Sequence, residues 1–180
     1  MSVSSGAGLL YRFMAEDHAR LDGLLQEAVV RPDVIDRAAY AQFRAGLLKH
    51  IGMEEKILFP EAQRRRGGEP LPIAAKLRLD HGALAALLVP SPTPAIVAAI
   101  RSILAGHNAI EEQPGGPYEV CEQLAGAEVE AVLARLRSAP EVPVAAHADS
   151  PKVRAATRRA LQRAGFDKEI DQLFPSSDEP

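Results

Sequence analysis

The sequence predicts an all-α fold, a helical bundle, on three observations. Apolar residues recur at spacings of three and four, Ala and Leu dominate the apolar set, and no alternating stretch of useful strand length occurs. Hydrophobic residues make up 47% of the 180, but only 4% are aromatic and none is Trp, so the core is to be filled by helix formers rather than strand formers. This length suits one main domain, assigned to residues 1–138, with a linker and a basic C-terminal helix and tail over residues 139–180.

Leu10, Phe13, Met14, Leu21, Leu24, Leu25 and Val29 predict a first helix over about residues 7–30, broken by Arg31-Pro32-Asp33. A second carries Phe43, Leu47, Ile51, Ile57 and Leu58 and is expected to kink or end at Pro60, which cannot donate the backbone hydrogen bond. After the loop Gly67-Gly68-Glu69-Pro70, Ile73, Leu77, Leu84 and Leu88 define a third, closed by Pro90-Ser91-Pro92-Thr93-Pro94. Ile96, Ile100, Ile103, Leu104 and Ile110 mark a fourth, stopped by Gln113-Pro114-Gly115-Gly116-Pro117, and a fifth is predicted over about residues 118–137. Ser150-Pro151 is a good helix start, and that last helix is expected to end near Gly165. Its basic face, Lys152, Arg154, Arg158, Arg159 and Arg163, reads first as a solvated surface, with an acidic protein partner as the alternative. Arg64, Arg65 and Arg66 lie where a helix C-terminus favours cations and receive no function.

A formal charge of −3 argues against nucleic-acid binding as the main role. The short, charge-interrupted apolar runs and the N-terminal MSVSSGAGLLYRF give no membrane span or secretion signal, so a cytoplasmic location is expected. The single Cys121 excludes an intrachain disulfide framework and is read as a small residue on a helix face. Gly-Gly pairs in loops between helices lack the strand context of phosphate-binding loops.

The chemistry lies in an internal repeat. Asp17-His18-Ala19-Arg20-Leu21-Asp22-Gly23-Leu24-Leu25 returns as Asp80-His81-Gly82-Ala83-Leu84-Ala85-Ala86-Leu87-Leu88, sharing DHxxLxxLL. His50-Ile51-Gly52-Met53-Glu54-Glu55 returns as His107-Asn108-Ala109-Ile110-Glu111-Glu112, sharing HxxxEE. The spacing of four puts His50 with Glu54, and His107 with Glu111, on single helix faces. Those faces, like the ones carrying His18 and His81, are the apolar ones, so six polar groups are expected in one core. An unpaired carboxylate there costs several kcal/mol, and buried imidazoles also need partners. Metal ions remove the problem, and mixed nitrogen and oxygen ligation from facing helices suits a dinuclear iron site ahead of manganese or zinc. His18, His50, Glu54, His81, His107 and Glu111 are therefore the candidate ligands, while His147 in the linker is read as solvated.

Asp17-His18, His50-x3-Glu54, Asp80-His81 and His107-x3-Glu111 together resemble the hemerythrin-like family, or HHE cation-binding domain, over about residues 8–125. The resemblance implies an antiparallel up-and-down four-helix bundle, here with additional C-terminal helices, holding two non-haem iron ions under an oxo or hydroxo bridge. Relative to the oxygen carriers of that family, Leu77 stands where an additional His is expected, which argues against a five-His carrier site. The second acidic ligand is expected at Glu111, as in bacterial members, rather than at Glu112. Open metal positions would admit oxygen, nitric oxide or peroxide. Asp22 is weighed as a seventh ligand, with a surface role favoured because its repeat equivalent is Ala85, and Tyr118 and Glu55 are weaker candidates.

Three functions follow as alternatives: a protein that binds or senses oxygen, nitric oxide or iron supply; a catalase-like, peroxidase-like or iron-cluster repair enzyme; and a metal-stabilised interaction module. No catalytic residue is assigned.

Overall fold

The computed structural model describes residues 8–29, 31 and 34–175. Among them the chain is helical with no strand, and only an isolated bridge joins Arg31 to Val34. Pro32 and Asp33 of the predicted first break, the N-terminal seven residues and the last five lie outside the described residues.

Helix α1 spans Leu9–Glu27 and has no N-terminal cap of its own. The Glu122 carboxylate supplies one from elsewhere, accepting the backbone N–H groups of Leu9, Leu10 and Tyr11 at 3.2, 2.6 and 3.1 Å. Helix α2, Arg37–Met53, starts on Asp36, whose side chain accepts from the N–H groups of Ala38 and Ala39. It does not stop at Pro60. A π-helical turn over Glu54–Leu58 joins it to α3, Phe59–Arg65. The Phe59 N–H bonds back to the Glu54 carbonyl, five residues away, and the wider turn absorbs a proline that lacks the N–H and would clash within a regular α-turn. The expected kink is thus realised as an inserted residue inside a continuing helix.

Helix α4 spans Ala74–Leu87, and α5, Pro94–Glu112, begins on a Thr93 cap with Pro in its first turn. The predicted fifth helix is divided. Gly126, at φ 53°, separates α6, Pro117–Ala125, from α7, Val129–Arg137, with one 3₁₀ turn between them. Helix α8, Pro151–Ala164, starts on the Ser150 hydroxyl and ends at Gly165, as expected. A short α9, Asp167–Leu173, follows it. Thr157, Ala160, Leu161 and Ala164 of α8 are buried, α8 packs against α4, and the Thr157 hydroxyl donates to the Ala86 carbonyl. Its five basic side chains are exposed.

Helix α1 packs on α2 and on α5, and α4 packs on α5. Two apolar clusters form the interior. One holds Leu21, Leu25, Phe43, Leu47, Leu84, Leu87, Ile100 and Ile103. The other holds Leu10, Met14, Met53, Leu58, Leu77, Tyr118 and Leu133. Helices α1 and α4 run from the second cluster to the first, whereas α2 and α5 run from the first towards the second. Each passes a polar residue midway, so the histidines and glutamates form a layer between the two apolar clusters.

Candidate metal centre

All six predicted ligands are buried: His18, His50, His81 and His107 are at most 5% exposed, and Glu54 and Glu111 are fully enclosed. They converge as two groups of four, His18, His50, Glu54 and Glu111, and Glu54, His81, His107 and Glu111, with the potential ligand atoms in each group lying within 4.8 Å of one another. The first group is called position A below, the second position B. Glu54 and Glu111 belong to both. Glu54 Oε1 lies 3.4 Å from His50 Nε2 while its Oε2 lies 3.0 Å from His81 Nε2. Glu111 Oε2 lies 3.4 Å from His18 Nε2 and its Oε1 3.3 Å from His107 Nε2. Each carboxylate therefore offers one oxygen to each position, the arrangement of a bridging ligand.

The outward ring nitrogens are held by carboxylates. His50 Nδ1 meets Asp17 at 2.8 Å and His107 Nδ1 meets Asp80 at 3.3 Å, a bond within each repeat. His18 Nδ1 meets Glu112 at 2.6 Å and His81 Nδ1 meets Glu55 at 2.8 Å, a bond between repeats. A carboxylate accepts, so each Nδ1 carries the proton and each Nε2 presents its lone pair inwards. The Asp of DHxxLxxLL and the second Glu of HxxxEE thus orient the imidazoles. Glu55, weighed as a ligand, has this outer place instead, and Glu112 shares it.

The interior this creates is made almost wholly of acceptors. His81 Nε2 and His107 Nε2 face each other at 3.2 Å, and Glu54 Oε2 and Glu111 Oε1 are buried with no hydrogen-bond partner. Unpartnered buried acceptors are costly, and cations at both positions satisfy every one of them, so the residues present fit a metal pair. Without metal, protons must stand in. Burial disfavours the charged form of His50, but Glu54 and Asp17 outweigh it and raise its pKa to about 10. Burial is likewise outweighed by Asp80 and Glu111 at His107, raised to about 9, while His81 is raised by Glu54 against its own burial. Burial pushes the Glu54 carboxyl up, but His50 and His81 hold it well below the usual range.

Tyr118 also reaches position A. Its hydroxyl lies 2.5 Å from Glu54 Oε1, 3.1 Å from Glu111 Oε2, 3.0 Å from His18 Nε2 and 3.2 Å from His50 Nε2. Gly116 places it: a Cβ there would come within 2.8 Å of the carbonyls of Ile110, Glu111 and Gln113, so only glycine lets the chain fold back tightly over the end of α5. A proline six residues after the ligand glutamate, Pro60 after Glu54 and Pro117 after Glu111, extends the repeat to HxxxEExxxxP. The next residue in the first half is Glu61, bound to Arg64, Arg65 and Arg135 away from the site, so Tyr118 has no symmetry mate.

Asp22 is exposed and accepts from Gln26, outside the ligand groups. His147 is half-buried rather than solvated, stacked on Tyr40 and 3.4 Å from Arg44. Leu77, one turn before His81, is fully buried in the second apolar cluster. A cavity of about 250 Å³ is lined by His18 together with Asp22, Arg101, Leu104 and Asn108. Among the described residues no helix is long and apolar enough to cross a membrane.

The family model for the hemerythrin HHE cation binding domain matches residues 9–118, α1 through the start of α6 with all six candidate ligands. No curated protein and no solved structure gives a significant match to the chain.

Proposed function

Because the chain belongs to the hemerythrin HHE cation-binding family, we propose that it is a non-haem di-iron protein that binds or senses a small molecule such as oxygen or nitric oxide. His18 and His50 would hold one iron, His81 and His107 the other, with Glu54 and Glu111 bridging them in an up-and-down four-helix bundle. The observation that carries this reading is the pair of four-residue groups sharing two carboxylates whose position-B oxygens have no other partner.

When bound, a pair of irons supplies redox-active centres for diatomic ligands. The chain's own residues fix everything else. Asp17, Asp80, Glu55 and Glu112 keep each imidazole in the Nδ1–H form. The apolar clusters on either side exclude bulk water, which strengthens electrostatic interactions within the layer.

Binding is favoured over peroxide turnover or cluster repair because all four outer carboxylates are committed to imidazoles, leaving none of them free to shuttle protons. The test is the absorption spectrum of iron-loaded protein in air, after anaerobic reduction and after nitric oxide. Bands that change with each treatment are expected. An iron-loaded protein whose spectrum ignores oxygen, nitric oxide and peroxide overturns the reading.

A further inference from the structure

We propose that Tyr118 is a seventh protein ligand, bound through its phenolate oxygen to the metal at position A. The inference rests on the dinuclear reading above and adds an asymmetry that the repeat does not contain.

The argument is geometric. Ligands about 2.1 Å from one metal ion lie about 3 Å apart when they are neighbours in its coordination shell. The Tyr118 oxygen lies 2.5–3.2 Å from all four ligand atoms of position A, two of them imidazole nitrogens and two carboxylate oxygens. Hydrogen bonding alone does not account for that placement. A hydroxyl makes at most three hydrogen bonds, one donated and two accepted, yet four polar atoms surround it. One cation at the centre of these atoms satisfies all five, with the phenolic proton released to solvent as the metal enters.

The rest of the molecule holds the ring in place for this. Tyr118 is 1% exposed, its ring packs edge-on against Tyr11 at 6.3 Å between centroids, and Gly116 sets the chain two residues earlier. Position B receives no equivalent group: His81 and His107 face each other, and Leu77 occupies the preceding turn. The two metals are then unlike, and the more open one is held by His81 and His107.

The test uses full-length protein loaded with iron and oxidised in air, compared with Tyr118→Phe and with Tyr11→Phe, which removes a neighbouring hydroxyl bonded to the Glu112 carbonyl. Wild type and Tyr11→Phe are expected to show a visible phenolate-to-iron(III) charge-transfer band, tyrosinate ring modes in resonance Raman, and two unequal iron environments by Mössbauer spectroscopy. Tyr118→Phe should keep both irons, lose the band and the ring modes, and bring the two environments closer together. Two irons in wild type without any tyrosinate signature overturns the Tyr118 assignment and leaves the dinuclear reading standing. Wild type that takes up no iron overturns both. Should Tyr118→Phe fail to fold, the wild-type and Tyr11→Phe spectra decide alone.

Discussion

Replacing Asp80 by Ala tests whether the outer carboxylates set the metal affinity. Asp80 is 1% exposed, accepts from His107 Nδ1 at 3.3 Å, and pairs with Lys76. Its loss leaves a buried Nδ1–H without an acceptor, at a cost of about 1–3 kcal/mol. For a chain of this size that lowers Tm by about 2–12 °C. Losing the group that fixes a ligating imidazole weakens metal binding by about 10–100-fold, or about 1.4–2.7 kcal/mol. Because His107 is the one candidate ligand that Asp80 holds, and His107 belongs to only one of the two groups, one of the two metal equivalents should weaken while the other holds. Titrating metal-free protein with zinc against a chromophoric chelator resolves the two steps, with Asp22→Ala as a surface control that changes neither. Two equivalents at wild-type affinity in a folded Asp80→Ala protein would refute the claim that this carboxylate orients a ligand.

Proton counting and stability give further checks. With His50 raised to about 10 and His107 to about 9, both carry protons at neutral pH without metal, so loading in weak buffer should release about two protons per chain from these residues and tighten as pH rises. Since both pKa values are raised on folding, their contribution to metal-free stability is complete below the ordinary imidazole value of 6.5 and is lost as pH climbs through about 9 and 10. A metal-free Tm that is flat or rising over that window would contradict the pairing. Glu122→Ala removes the acceptor for three N–H groups at the start of α1 and should cost about 1–2 kcal/mol in denaturant unfolding. Its metal content should be unchanged; a loss of metal would mean that this cap also positions the site.

Much of this was legible because the ligands lie on helices whose periodicity the sequence displays. His50 with Glu54 and His107 with Glu111 share faces by spacing alone, and the repeat identified all six buried groups together. What spacing did not carry was contact between helices. Which carboxylate holds which imidazole depends on neighbouring helices, so Asp17, Asp80 and Glu112 were visible as repeat letters but not as partners. Tyr118, weighed from the sequence only as a weaker candidate ligand, reaches the core through a turn set by Gly116, and a residue without a repeat mate gains no support from a self-alignment. Backbone detail was also local in cause. The π-helical turn before Pro60 carries on a helix that the proline was expected to kink or end, and Gly126 divides one whose apolar periodicity runs on across it. Half-burial of His147 depends on packing against Tyr40 and Arg44, more than a hundred residues earlier, which composition does not reveal.

The most direct test of the central claim is metal content per chain, by elemental analysis of protein purified from iron-supplemented cells, in wild type, Glu54→Ala and Glu111→Ala. The shared carboxylates predict two irons per wild-type chain and a loss at both positions from either single substitution. Wild-type protein with full helicity and no metal, or either variant still holding two irons, would contradict it.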